Sequence, residues 1–127
     1  MIYDVKITGF DFMNDYEGAV KISLNNLELY AFYLAPYDFA KSYLCIGDII
    51  KADIWLLDGN AKIISIPLEK TSDLHEISKG VIRGQVKKCF SPYEFRVNCD
   101  LLEIDIINKD PINLIGNEYI ETKGTYQ

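Results

Sequence analysis

Residues that build catalytic centres are scarce in this sequence of 127 residues, which contains one histidine, His75, and three cysteines. It has no Cys-x-x-Cys or His-x-x-x-His spacing, and zinc sites usually draw on such pairs. The glycine-rich phosphate and dinucleotide loops and the Gly-x-Ser-x-Gly turn of hydrolases are also missing. These absences predict a protein that is not an enzyme and that holds neither a metal ion nor a cofactor.

The cysteines are too few and too widely spaced for a disulfide framework. Cys45, Cys89 and Cys99 lie among apolar neighbours, which predicts that all three are small buried side chains. The sequence also lacks an apolar run of about 18 residues that could span a membrane. Residues 1–6 lack the basic and apolar regions of a secretory signal. We therefore expect a soluble cytoplasmic protein without membrane contact.

Basic residues are outnumbered, with 13 Lys and Arg against 19 Asp and Glu, so the formal net charge is −6. Most nucleic-acid-binding proteins need a positive face to neutralise phosphate groups. The negative charge therefore argues against nucleic acid and favours a basic protein as the partner. The oligomeric state is left open by these features.

Isoleucine and aromatic residues are abundant, and both favour β-strands. Apolar and polar residues alternate from Ile2 to Gly9, where the apolar positions switch, and this pattern predicts a β-bulge or a sharp bend of a barrel strand. Asn25-Asn26 predicts a tight turn between two strands. Asp58-Gly59 is the strongest hairpin signal in the sequence and predicts a return strand over residues 61–68.

Two segments interrupt the strand pattern. Pro36 is placed to begin a short helix over residues 37–44, because proline is well tolerated in a first turn. In the linker 71–79, Asp73 and Glu76 resemble a capping box, which predicts a short helix or an irregular connection.

The linker divides the sequence into halves of similar pattern, residues 1–70 and 80–127. Each half has a glycine within its first strand, Gly9 and Gly84, followed by alternating strands. We expect one β domain over residues 1–127. Its predicted fold class is all-β, an OB-like barrel or a barrel or sandwich of about nine strands, with one or two short helices.

The OB-like expectation comes from a resemblance in the first half. The order of strands around a short helix, with Gly9, the segment 36–44 and Gly47-Asp48 in their places, resembles the OB-fold. This resemblance implies a small barrel that binds a ligand on one face of its strands.

Aromatic residues provide the strongest candidate for a binding site. Tyr30 and Phe32 lie on the strand face opposite Leu27 and Leu29, and Trp55 shares a face with Asp53. Such residues could form a second core layer, anchor a protein interface or stack on bases or sugars. All three readings stay open at this point.

Acidic residues cluster in one predicted loop. Asp11, Asp15 and Glu17 could contact a basic partner, whereas the spacing of a calcium-binding EF-hand is absent. Glu103 and Asp105 share one face of a later strand. The pattern predicts that both carboxylates lie on a solvated face.

In size, in charge and in its lack of catalytic motifs, the chain resembles immunity proteins of bacterial toxin systems. That resemblance implies a non-enzymatic protein-binding module that binds and blocks a basic toxin domain. The alternative is an OB-like binder of single-stranded nucleic acid or oligosaccharide. In that case Trp55, Tyr30 and Phe32 would form the stacking platform. The phosphate groups would be contacted by Arg83, Lys87, Lys88 and Arg96.

Overall fold

The computed structural model describes residues 1–12, 14–64, 74–99 and 102–127. These residues form eleven strands and two short helices, so the all-β prediction is confirmed. In chain order the elements are β1 Ile2–Phe12, β2 Glu17–Leu24, β3 Leu27–Leu34, α1 Tyr37–Tyr43, β4 Ile49–Asp53, β5 Trp55–Gly59, β6 Lys62–Ile64, α2 Leu74–Ser78, β7 Val81–Cys89, β8 Glu94–Asn98, β9 Glu103–Asn108, β10 Tyr119–Lys123 and β11 Thr125–Tyr126.

All eleven strands belong to one sheet, with the order β4-β1-β2-β3-β11-β5-β9-β8-β7-β10-β6. This sheet is not closed into a barrel, and the OB-like architecture stays a prediction. The strand count exceeds the nine expected because single residues interrupt two long strands. Ile54 separates β4 from β5, and Gly124 separates β10 from β11.

These two interruptions curl the sheet. β4 stands at one end of the strand order and β5 in its middle, yet one residue joins them, so the sheet must bend back on itself. The buried apolar residues form one cluster, which extends from Val5 in β1 to Tyr126 in β11. That cluster draws on strands of both predicted halves.

The local features of the first hairpin follow the sequence prediction. The pairing register between β1 and β2 shifts between Ile7 and Gly9, which confirms the bulge. Asn25 and Asn26 have φ angles of 50° and 65° and join β2 to β3. Asparagine tolerates this left-handed conformation, which suits the twist of a two-residue hairpin turn.

The hairpin predicted at Asp58-Gly59 is wrong, because β6 pairs with β10 and not with β5. The backbone N–H groups that follow Gly59 donate hydrogen bonds to side chains of distant strands. The N–H of Asn60 donates to Thr122 Oγ1 at 3.1 Å, and the N–H of Ala61 donates to Asn108 Oδ1 at 2.8 Å. These hydrogen bonds hold the start of β6 close to β10, with which it pairs. Residues 65–68 of the predicted return strand lie outside the described residues.

Both predicted helices are present, although they pack differently. In α1 only Ala40 is buried, whereas α2 contacts β3 and β7 and buries Ile77 completely. The Tyr126 hydroxyl donates to the Ile77 carbonyl at 2.6 Å. The segment predicted as a linker therefore forms part of the core. Asp73 of the predicted capping box, and the His75 side chain, lie outside the described residues.

The prediction of three buried cysteines is right for Cys99 and wrong for Cys45 and Cys89, which are exposed. Cys45 lies just after α1 and Cys89 is the last residue of β7. Both therefore lie at the end of an element, where apolar neighbours in sequence do not ensure burial. Neither α1 nor α2, the helices of the described chain, has the length and apolar character that crossing a membrane would require.

Candidate functional site

A concavity on the outer face of the sheet lies where β3, β5 and β9 approach one another. We call it the aromatic groove. Its volume is about 400 Å³, and it is lined by Phe32, Tyr33, Leu34, Asp53, Trp55, Leu57, Ile107 and Gln127.

Strand alternation places the aromatic side chains in this groove. In β3, Leu27, Leu29 and Ala31 are buried in the core, so Tyr30 and Phe32 project from the opposite face. The Tyr30 and Phe32 rings meet edge to face, with centroids 5.6 Å apart and planes at 88°. Tyr30 keeps 40% of its surface exposed. It therefore extends the apolar surface beyond the groove lining.

Parallel pairing of β5 with β9 supplies the other wall. Trp55 pairs with Asp105 and Leu56 with Ile106, and Leu57 and Ile107 both line the groove. Three of the predicted site residues, Phe32, Asp53 and Trp55, thus line one groove. Leu57 and Ile107 were missed by the sequence reasoning, because no local signal indicates that β5 pairs with β9.

Three carboxylates line the groove or pair with residues of its lining, and we call Glu17, Asp53 and Glu94 the acidic rim. Glu17 pairs across the sheet with Leu34, and Glu94 pairs with Ile107. Directly opposed side chains lie about 5 Å apart at their Cβ atoms. Asp53 accepts a hydrogen bond from the Met1 amino group at 2.8 Å and stays 45% exposed. Glu94 is the rim residue that the sequence did not single out.

Asp11 and Asp15 lie outside the groove. Asp11 of β1 pairs with Ala19 of β2, and Ala19 pairs with Phe32 of β3. Asp11 and Phe32 are therefore two strands apart in the sheet. The Asp15 carbonyl accepts the Tyr37 N–H at 2.7 Å and fastens the loop to α1. No group of three or more His, Cys, Asp or Glu side chains that could hold a metal ion occurs within the described ranges.

Asp105 is not on a solvated face, contrary to the prediction. Its side chain is only 8% exposed, and it accepts two hydrogen bonds from Arg96, from Nε at 2.7 Å and from Nη2 at 3.2 Å. Burial alone would raise the pKa of Asp105, but the bonds and charge of Arg96 and the nearby amino terminus outweigh it. The net result is a lowered pKa. The pair therefore holds β8 and β9 together beneath Trp55.

The cations predicted as phosphate contacts have partners within the protein. Arg83 binds Glu76 and also lies 3.5 Å from Glu121. Arg96 is held by Asp105 and lies 5.3 Å from the centre of the Phe90 ring. A guanidinium already neutralised by a carboxylate has less to offer a phosphate group, so these contacts weigh against a nucleic-acid surface.

Lys87 and Lys88 are exposed and lie on the same strand. The Lys88 amino group stands 5.1 Å from the Phe90 ring centre, and the Lys87 amino group donates to Gln85 at 3.2 Å. These two lysines make a small basic patch that is separate from the groove lining.

No protein-family model matches this chain, and a search of curated proteins returns no significant match. The site must therefore be interpreted from its own geometry.

Proposed function

We propose that this protein is a non-enzymatic protein-binding module whose contact surface is the aromatic groove with its acidic rim. The observation that carries the proposal is the meeting of Phe32, Trp55 and Leu34 in one open concavity. Aromatic residues in such settings are the usual anchors of protein interfaces. The partner is a basic protein that places an apolar side chain in the groove.

Charge supports a basic partner. Asp53 is the one charged residue in the described lining of the groove, and Glu17 and Glu94 stand next to its exposed apolar residues. Carboxylates around an apolar centre reproduce the usual anatomy of an interface, with a polar rim around a desolvated core. They also speed the approach of a positively charged partner.

The specific form of the proposal is an immunity-type protein that binds and blocks a basic toxin domain, built on an OB-like arrangement of the first half. The net charge of −6 supports this form. The alternative is binding of single-stranded nucleic acid or oligosaccharide through Trp55. The ion pairs of Arg83 and Arg96 make the nucleic-acid alternative the weaker one.

The proposal is tested with the purified products of the genes that flank the coding sequence, each titrated against this protein. Trp55 is the single tryptophan and lines the groove, so its fluorescence reports occupancy directly. We expect one basic product to bind with nanomolar affinity and with strong salt dependence. Oligo-dT at low salt is titrated in parallel and should leave the fluorescence unchanged.

Matched variants locate the contact. Leu34 is 75% exposed within the groove, and Ile115 is 96% exposed away from it. Leu34→Asp should weaken binding at least tenfold, about 1.4 kcal/mol, because a charge would enter the desolvated centre. Ile115→Asp should bind like the unaltered protein. Equal affinity of the two variants, or tight binding of oligo-dT, would contradict the proposal.

A further inference from the structure

A second concavity opens between β3 and β4, and we call it the seam cleft. Its volume is about 220 Å³. Val5, Ile7, Val20 and Ile22 of the core form its floor, while the ends of β3 and β4 form its walls. β3 pairs with β2 and β11, and β4 pairs with β1, so in the described part of the chain no ladder joins the two walls. The cleft thus reaches from solvent into the core.

Small side chains create this space. The chain has only six alanines, and four of them, Ala31, Ala35, Ala40 and Ala52, line the seam cleft. Elsewhere the inner face carries Ile, Leu and Val, which would fill the same volume. An empty apolar cavity lowers the free energy of unfolding in proportion to its volume. An apolar ligand that fills the cleft should therefore stabilise the folded protein.

α1 covers the cleft loosely. Ala40 is the only buried residue of this helix, and its Phe39 and Tyr43 rings stack in parallel at 5.6 Å. Both rings line the cleft, and both are more than half exposed. A small molecule can therefore enter beside the helix without disrupting buried packing.

The polar groups of the lining define the charge of the ligand. The Tyr33 hydroxyl is buried and has no hydrogen-bond partner among the described residues, and its burial raises the pKa of Tyr33. Asp53 is the one charged residue of the described lining, and it is acidic. Asp53 is already paired with the Met1 amino group, and the described lining offers no cation to a ligand carboxylate. A fatty acid would therefore lose hydration without compensation, so a neutral ligand is favoured.

We propose that the seam cleft binds a small neutral apolar molecule, an aromatic ring with a short alkyl substituent. The cleft adjoins the aromatic groove, with which it shares Phe32, Tyr33, Leu34, Asp53 and Gln127. The size follows from the volume. A cavity of about 150 Å³ lined by Leu, Ile and Phe takes up benzene. The larger cleft therefore has room for toluene or propylbenzene.

The test uses toluene and propylbenzene as probes, with octanoate as the anionic comparison. Binding is followed by methyl NMR of the intact protein and by thermal unfolding. We expect saturable shifts at Val5, Ile7, Val20 and Ile22, and a rise in Tm of about 4 °C at ten times Kd. Octanoate should bind at least tenfold more weakly. Absence of saturable shifts, or equal binding of octanoate, would overturn the proposal.

Variants that fill the cleft with a larger side chain test whether the probe binds there. Ala52→Leu should abolish probe binding, while Ala61→Leu, which lies outside the lining, should leave it unchanged. If Ala52→Leu does not fold, Ala31→Leu makes the same test from the opposite wall. Undiminished propylbenzene binding to a folded, filled variant would show that the probe binds elsewhere and would refute the assignment.

Discussion

Replacing Gly80 with alanine is expected to lower the free energy of unfolding by about 3–4 kcal/mol, the sum of a backbone and a steric cost. Gly80 has a φ angle of 79°, a conformation that L-residues adopt at a penalty. A Cβ atom there would also collide with the Gly124 carbonyl oxygen. The two backbones are held together, because the Gly124 N–H donates to the Gly80 carbonyl at 3.0 Å. Neither backbone segment can move away from the other without breaking this hydrogen bond.

Gly47 is the matched control for this prediction. Its φ angle is 95°, but no atom of the described residues outside its chain neighbours lies within 4 Å of the position that a Cβ would take. Gly47→Ala should therefore cost only the backbone term, about 1–2 kcal/mol. Urea denaturation measures both variants. If the two glycines prove equally costly to replace, the contact between Gly80 and Gly124 does not constrain the fold.

Replacing Asp105 with asparagine is expected to cost about 2–3 kcal/mol at neutral pH, because it leaves the half-buried Arg96 without its counter-charge. Arg96 is 29% exposed, so water offsets part of the loss and keeps it below that of a fully buried pair. The double variant Arg96→Met with Asp105→Leu removes both charges and should be more stable than Asp105→Asn alone. The opposite ranking would mean that Arg96 without its counter-charge carries no penalty.

The contribution of the Arg96–Asp105 ion pair to stability should depend on pH in the acid range. The pKa of Asp105 is lowered in the folded protein, so its contribution is present above the ordinary aspartate pKa of about 3.9 and is lost as the pH falls through the folded value. The stability difference between the unaltered protein and Asp105→Asn should therefore narrow below about pH 4. Urea denaturation at stepped pH measures this difference. A constant gap across the acid range would exclude Asp105 as a titrating contributor.

Features that depend on neighbours in sequence were predictable. The alternation in β3 separated Leu29 from Tyr30 and Phe32, and the bulge at Gly9 and the turn at Asn25-Asn26 follow from local backbone preferences. The aromatic part of the candidate site was identified for that reason. Strand alternation tells which face a side chain occupies without any knowledge of the strand's partner.

Features that depend on distant pairing were not predictable. The contact of Arg96 with Asp105 requires the register of β8 against β9, and the place of Ile107 requires parallel pairing of β9 with β5. Neither register has a local signal. At Asp58 the local signal misled, because Asn108 and Thr122 bind the backbone that a hairpin would have used internally.

The position of β11 has a consequence for biosynthesis. Residues 125–126 stand between β3 and β5 in the sheet. During translation, β3 therefore has no neighbour on one side until almost the whole described chain has been made. An open strand edge of this kind invites pairing with other chains.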